Sequence, residues 1–201
     1  MKHTLYIVLV WLLAGSSAGI TSCGSNNQSN KPIAGESKEE SKDVAEENNE
    51  DKFNSNAAEN NAQLVVNLAV LGYSEIEMAK VAKQKSGNKT IKNLAASLQA
   101  DHMLLMKQLK QIAANRNIST PDSATAPDKQ QARELANNKP GSFDDKKWCA
   151  ELLSKHESMI AAMEDGATTA TDPGLRAWIN DALPKIRVHR DKLMQLKYTL
   201  R

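Results

Sequence analysis

The segment IKNLAASLQADHMLLMKQLKQI, residues 91–112, places Ile91, Ala95, Leu98, Leu105, Leu109 and Ile112 at steps of three and four, with His102 where the rhythm asks for a hydrophobe. Such spacing keeps one stripe of an α-helix turned toward a core. Three other segments behave the same way. Their stripes run Leu68, Leu71, Glu75, Met78, Ala82; then Cys149, Leu152, His156, Met159, Met163; then Leu175, Ile179, Ala182, Ile186, His189, Leu193, Leu196, Leu200. Four predicted helices are therefore apolar along one face except at Glu75, His102, His156 and His189.

The heights of these residues agree. An α-helix rises about 1.5 Å per residue, and antiparallel neighbours mirror one another about the turn between them. Glu75 and His102 lie nearly equidistant, at roughly 20 Å, from a turn at Gly87-Asn88. His156 and His189 lie roughly 25 Å from a turn at Asp172. In a bundle about 45 Å long both pairs fall near mid-height, whether or not the two turns share an end. One buried polar layer is predicted.

Punctuation supports four helices. The first begins near Ala57 and stops at Ser86-Gly87, with Gly as the breaker. Asn88 or Thr90 caps the second, which continues to about Arg116. Residues 118–142 form a long link containing Pro121, Pro127 and Pro140-Gly141, with a short helical pattern over 128–137. Ser142 reads as the cap of the third helix, with Asp145 three residues on, and that helix runs to about Ala167. Asp172-Pro173 opens the fourth helix, and Pro184 inside it should distort the backbone near the layer. The fold class is all-α: two helical hairpins joined by a long link, a four-helix bundle over residues 57–201.

Composition agrees. Of 201 residues, 40% are hydrophobic and 4% aromatic, which suits one helical domain with extra segments, and a net charge of +2 points to no charged partner. Two cysteines make no disulfide framework. Residues 1–22 read as an export signal, with Lys2 ahead of an apolar run from Leu5 to Leu13 that is short for a membrane span. Ile20-Thr21-Ser22-Cys23 resembles the bacterial lipobox, which implies lipidation at Cys23 and a membrane as partner. Residues 23–56, rich in Asn, Ser, Glu and Lys, cannot bury enough apolar surface to offset chain ordering and read as a disordered acidic tether.

Ser74-Glu75-Ile76-Glu77 with Ala79-Lys80, Asp101-His102, Phe143-Asp144, Lys155-His156, Asp172-Pro173, and Leu183-Pro184 leading to His189, taken in order, resemble the ferritin-like family known as domain of unknown function 4142. Its members are often labelled outer membrane proteins. The resemblance covers roughly residues 56–198 and implies a ferritin-like bundle exported to the bacterial envelope, most simply an outer-membrane lipoprotein with its bundle in the periplasm. It implies no established activity. Nothing in the sequence has the alternating pattern of a transmembrane barrel.

Three imidazoles and a carboxylate meeting from four helices make a first shell for one transition metal ion, and every histidine beyond the signal segment is in this layer. Glu77, Asp101 and Glu157 adjoin it as outer partners. Met78, Met159 and Cys149 are candidate soft ligands suited to copper, or simply core filling. A di-iron centre fits less well than Zn or Cu. It draws a Glu-x-x-His pair from each of two helices, whereas Gln99, Leu153 and Ile186 stand three before the histidines. The alternative reading is a non-catalytic structural or stress-related envelope protein whose polar layer sets helix packing. A metal-dependent redox enzyme is a third, for which no substrate is specified. There is no phosphate-binding Gly-rich loop, nucleophile triad or paired-Cys zinc motif. Lys185, Arg187, Arg190, Lys192 and Lys197 read as a solvated face, without nucleic acid as a partner.

Overall fold

The computed structural model of the chain describes residues 41–136 and 143–200. The expected signal segment, Cys23, the tether up to residue 40 and Ser142 lie outside the described residues. Among those described there are six helices and no strand: α1 (Ser41–Glu50), α2 (Asn56–Lys85), α3 (Lys89–Ala114), α4 (Ala126–Ala136), α5 (Asp145–Thr169) and α6 (Pro173–Thr199). None is long and apolar enough to cross a membrane.

The predicted helices form because local signals and periodicity agree. Asn88 Oδ1 accepts from the N–H groups of Thr90 and Ile91, and Asp172 Oδ1 accepts from Leu175 N at 2.7 Å, with Pro173 at the first helical position. The helical run of α6 continues unbroken past Pro184.

Three boundaries differ from expectation. The cap of α5 is Asp144, whose Oδ1 accepts from Lys147 N at 2.9 Å. Gly87 is not the breaker of α2. Ser86 ends it in an extended conformation, its Oγ accepting from Asn88 N and donating to Asp145 Oδ1 at 2.7 Å. Finally, residues 41–50 of the expected tether are helical, because polar side chains, added to the burial of Ala45, hold α1 in place. The buried Asn49 amide donates to Ser119 O at 3.0 Å and accepts from Ser119 N at 2.7 Å, while Ser41 Oγ accepts from Asp122 N.

Four long helices surround a common core. α2 packs on α3 and on α5, α5 on α6, and α3 more loosely on α6. Cross-links fix their directions. Ser86 at the end of α2 meets Asp145 at the start of α5, Asn61 near the start of α2 donates to Thr171 Oγ1, and Arg116 after α3 pairs with Asp172. α3 therefore ends at the opposite end of the molecule from where α5 begins. The link between them traverses its full length, carrying α4 along α2.

The core is two apolar clusters. One contains Leu68, Leu105, Leu109, Met159, Met163, Ile179 and Ile186; the other contains Met78, Leu98, Leu152, Trp148 and Leu193. On α3, α5 and α6 the boundary between them falls at the polar residue of the stripe, and on α2 it falls just past Glu75, between Ile76 and Met78.

Asp128, in the first turn of α4, ties the link to the core helices. Its Oδ1 accepts from Ser74 Oγ and Lys155 Nζ and its Oδ2 from Thr125 Oγ1, each at 2.7 Å. Burial alone would raise this carboxyl, but Lys155 and the two hydroxyls hold it below the ordinary range. Asp128→Ala strands a largely buried ammonium, so we expect a loss of about 2–3 kcal/mol in urea unfolding with little change in slope.

Candidate metal centre

Glu75, His102, His156 and His189 meet although each comes from a different helix. Their exposures are 1%, 0%, 0% and 4%. Glu75 Oε2 lies 3.0 Å from His102 Nε2 and Oε1 lies 3.2 Å from His156 Nδ1. The Nε2 atoms of His102 and His156 are 3.3 Å apart. Ring nitrogens of all three histidines lie within 4.8 Å of one another. The imidazoles stand edge-on or tilted, with centroids 5.2–5.7 Å apart.

Proton positions follow from partners. His156 Nδ1 is 3.0 Å from Leu152 O, and a carbonyl only accepts, so the proton sits on Nδ1 and the Nε2 lone pair faces His102. His189 Nε2 is 3.0 Å from Asp101 Oδ2, so its proton is held there and its buried Nδ1 faces no protein donor or acceptor. His102 Nδ1 is likewise buried without a partner. The Glu75 oxygens are within ion-pair reach of two imidazoles, yet neither approach has the alignment of a hydrogen bond, so both remain without an aligned donor.

Burial depresses the His189 imidazole to about 4, with the neighbouring His102 and His156 acting in the same direction and Asp101 opposing them. Burial also lowers His156, against the attraction of Glu75. Burial by itself would raise the Glu75 carboxyl, but the imidazoles around it, His102 foremost, outweigh that and hold it below the usual range. At neutral pH His156 and His189 thus offer lone pairs beside an ionised carboxylate, the protonation states that metal ligation requires.

Of the three outer partners expected from the sequence, only Asp101 reaches the layer. Glu77 turns away to an ion pair with Lys80 at 2.6 Å, and Glu157 is exposed on α5. The soft residues lie in the apolar clusters on either side of the layer. Met78 and Met159 are buried in opposite apolar clusters, and the Cys149 thiol donates to Leu193 O at 3.3 Å. Burial pushes that thiol up to about 11, away from thiolate chemistry. Sequence reasoning missed Asp128, which anchors the neighbours of two layer residues, Ser74 beside Glu75 and Lys155 beside His156. Those dipeptides carried the only signal; the partner lies in the link, 54 and 27 residues away.

The family model described as Domain of unknown function (DUF4142) matches residues 46–196, which include every residue of the layer. No curated protein and no solved structure matches the chain.

The folded value for His189, about 4, lies below its ordinary 6.5, so the unfolded chain binds this proton more readily. Stability from this group is complete above pH 6.5 and drains away as pH falls toward 4. The loss is on the order of 3 kcal/mol. Urea midpoints measured from pH 7.5 to 4 should fall steeply for the native protein and less steeply for His189→Leu.

Proposed function

Because the chain belongs to the family described as Domain of unknown function (DUF4142), whose description names no chemistry, we propose a function from the layer itself: a domain that binds one transition metal ion through Glu75, His102, His156 and His189. The observation that carries this reading is the convergence of two imidazole Nε2 atoms and a carboxylate oxygen, spaced 3.3 and 3.0 Å, beside buried nitrogens that lack protein partners. With metal–nitrogen bonds of 2.0–2.1 Å, the edge of a ligand tetrahedron is about 3.3 Å. A purely structural layer would normally satisfy its buried polar atoms within the protein, and this one leaves both Glu75 oxygens and two ring nitrogens without aligned partners.

Neutral imidazoles with one carboxylate suit a borderline divalent ion, Zn²⁺ or Cu²⁺. Among the described residues Glu75 is the one fully buried carboxylate of the layer, which argues against a di-iron site, and the engagement of the Cys149 thiol by Leu193 O weakens the case for a soft copper(I) set. The domain is read as a ferritin-like four-helix bundle on the strength of the full-length link between the two hairpins. Lipidation at Cys23 would hold it at a bacterial envelope membrane, most simply the outer membrane, with the domain in the periplasm.

Full-length protein purified without chelators or an immobilised-metal column should carry close to one equivalent of metal by elemental analysis. The His156→Leu/His189→Leu pair should carry none while keeping its helical circular dichroism. A native protein that stays metal-free after incubation with Zn²⁺ and Cu²⁺ would leave the layer a packing device. For the anchor, Cys23→Ala should move the protein from the membrane fraction to the soluble fraction. Unchanged membrane association would remove Cys23 as the anchor.

A further inference from the structure

The layer is enclosed on most sides. α4 lies along α2 and is pinned to α5 through Asp128–Lys155, while the two apolar clusters fill the space above and below. Short turns close the α2/α3 and α5/α6 hairpins. The seam between α3 and α6 is different, because among the neighbouring pairs of the four long helices these touch least. Between them lies a groove of about 380 Å³, walled from Leu105 to Ile112 on α3 and from Trp178 to Lys185 on α6. The groove ends at Leu105 and Lys185, one turn short of Asp101 on α3 and of His189 on α6, neither of which lines it.

At this seam one polar group joins water to the layer. The Asp101 side chain is 49% exposed, and its Oδ2 lies 3.0 Å from Nε2 of His189, whose side chain is 5% exposed. Glu75, His102 and His156 have side-chain exposures of only 0–1%. Among the described residues no lysine or arginine forms an ion pair with Asp101, so its charge faces solvent on one side and an imidazole on the other.

We propose that a divalent cation enters and leaves the layer through the α3/α6 seam, with Asp101 capturing it from water beside the ring of His189. This rests on the metal-binding reading above. Asp101 is the carboxylate at which the ion first exchanges water for a protein oxygen. His189 is the first imidazole inward: its Nε2–H faces Asp101, and its unprotonated Nδ1 is buried without a protein partner.

The test is stopped-flow uptake of Co²⁺ by the metal-free full-length protein, followed by visible absorption. Asp101→Asn should lower the association rate constant by about tenfold or more, within the range by which outer partners of metal ligands act. Asp101→Glu should recover most of that loss, and Glu157→Gln, which removes an exposed carboxylate on α5, should leave the rate unchanged. Wild-type association should also slow as ionic strength rises, because an exposed carboxylate attracts the ion over a screened distance. That measurement needs no variant and holds if Asp101→Asn misfolds.

If wild type binds Co²⁺ and Asp101→Asn binds it equally fast, the route is wrong and the metal reading stands. A faster dissociation with unchanged association would reduce Asp101 to a residue that orients His189, and would also overturn the route. Failure of wild type to take up Co²⁺ would overturn both.

Discussion

Four polar side chains desolvated at one level of an otherwise apolar core constrain everything around them. A carboxylate removed from water costs several kcal/mol unless something compensates it, so Glu75 has to meet His102 and His156 within about 3 Å. That requirement fixes the axial register of three helices at once. Sliding any of them by one turn would drive a charged or polar group into the Leu68–Ile186 cluster or the Met78–Leu193 cluster. The polar stapling at both ends, Ser86 to Asp145 and Asn61 to Thr171, serves the same registration.

Outer contacts translate that constraint into proton placement. Leu152 O holds the proton of His156 on Nδ1, and Asp101 holds that of His189 on Nε2, so each ring is committed to one tautomer. Burial then keeps both rings neutral. The result is two rings with unprotonated nitrogens inside a buried layer that also holds an anion, the protonation states that cation binding needs. Asp128 supports the layer from the opposite flank. It fixes the residues adjacent to Glu75 and His156 without touching either.

The same fold explains why other reactive residues are silent. Cys149 is two turns from His156 on α5, with its thiol engaged by Leu193 O and its pKa raised to about 11. Met78 and Met159 face the same stripes as Glu75 and His156 but fill apolar volume on opposite sides of the layer. Proximity in sequence brought these residues near the centre, and side-chain packing assigned them to the core.

By itself the sequence determined the four long helices, their turns at Gly87-Asn88 and Asp172, and the meeting of Glu75, His102, His156 and His189. Periodicity and distance from a turn are local quantities, and 1.5 Å per residue converts them directly into height. The tertiary structure decided which neighbours matter. Asp101, Glu77 and Glu157 are equivalent in sequence, each within two residues of a layer residue, yet only Asp101 faces a seam where another helix presents an imidazole. Asp128 and α1 were equally invisible, because their bonds to Lys155 and to Ser119 span 27 and 70 residues and consist of polar contacts that hydropathy does not register. Contacts of that kind arise only after the long helices have packed and brought the link and the N-terminal segment alongside them.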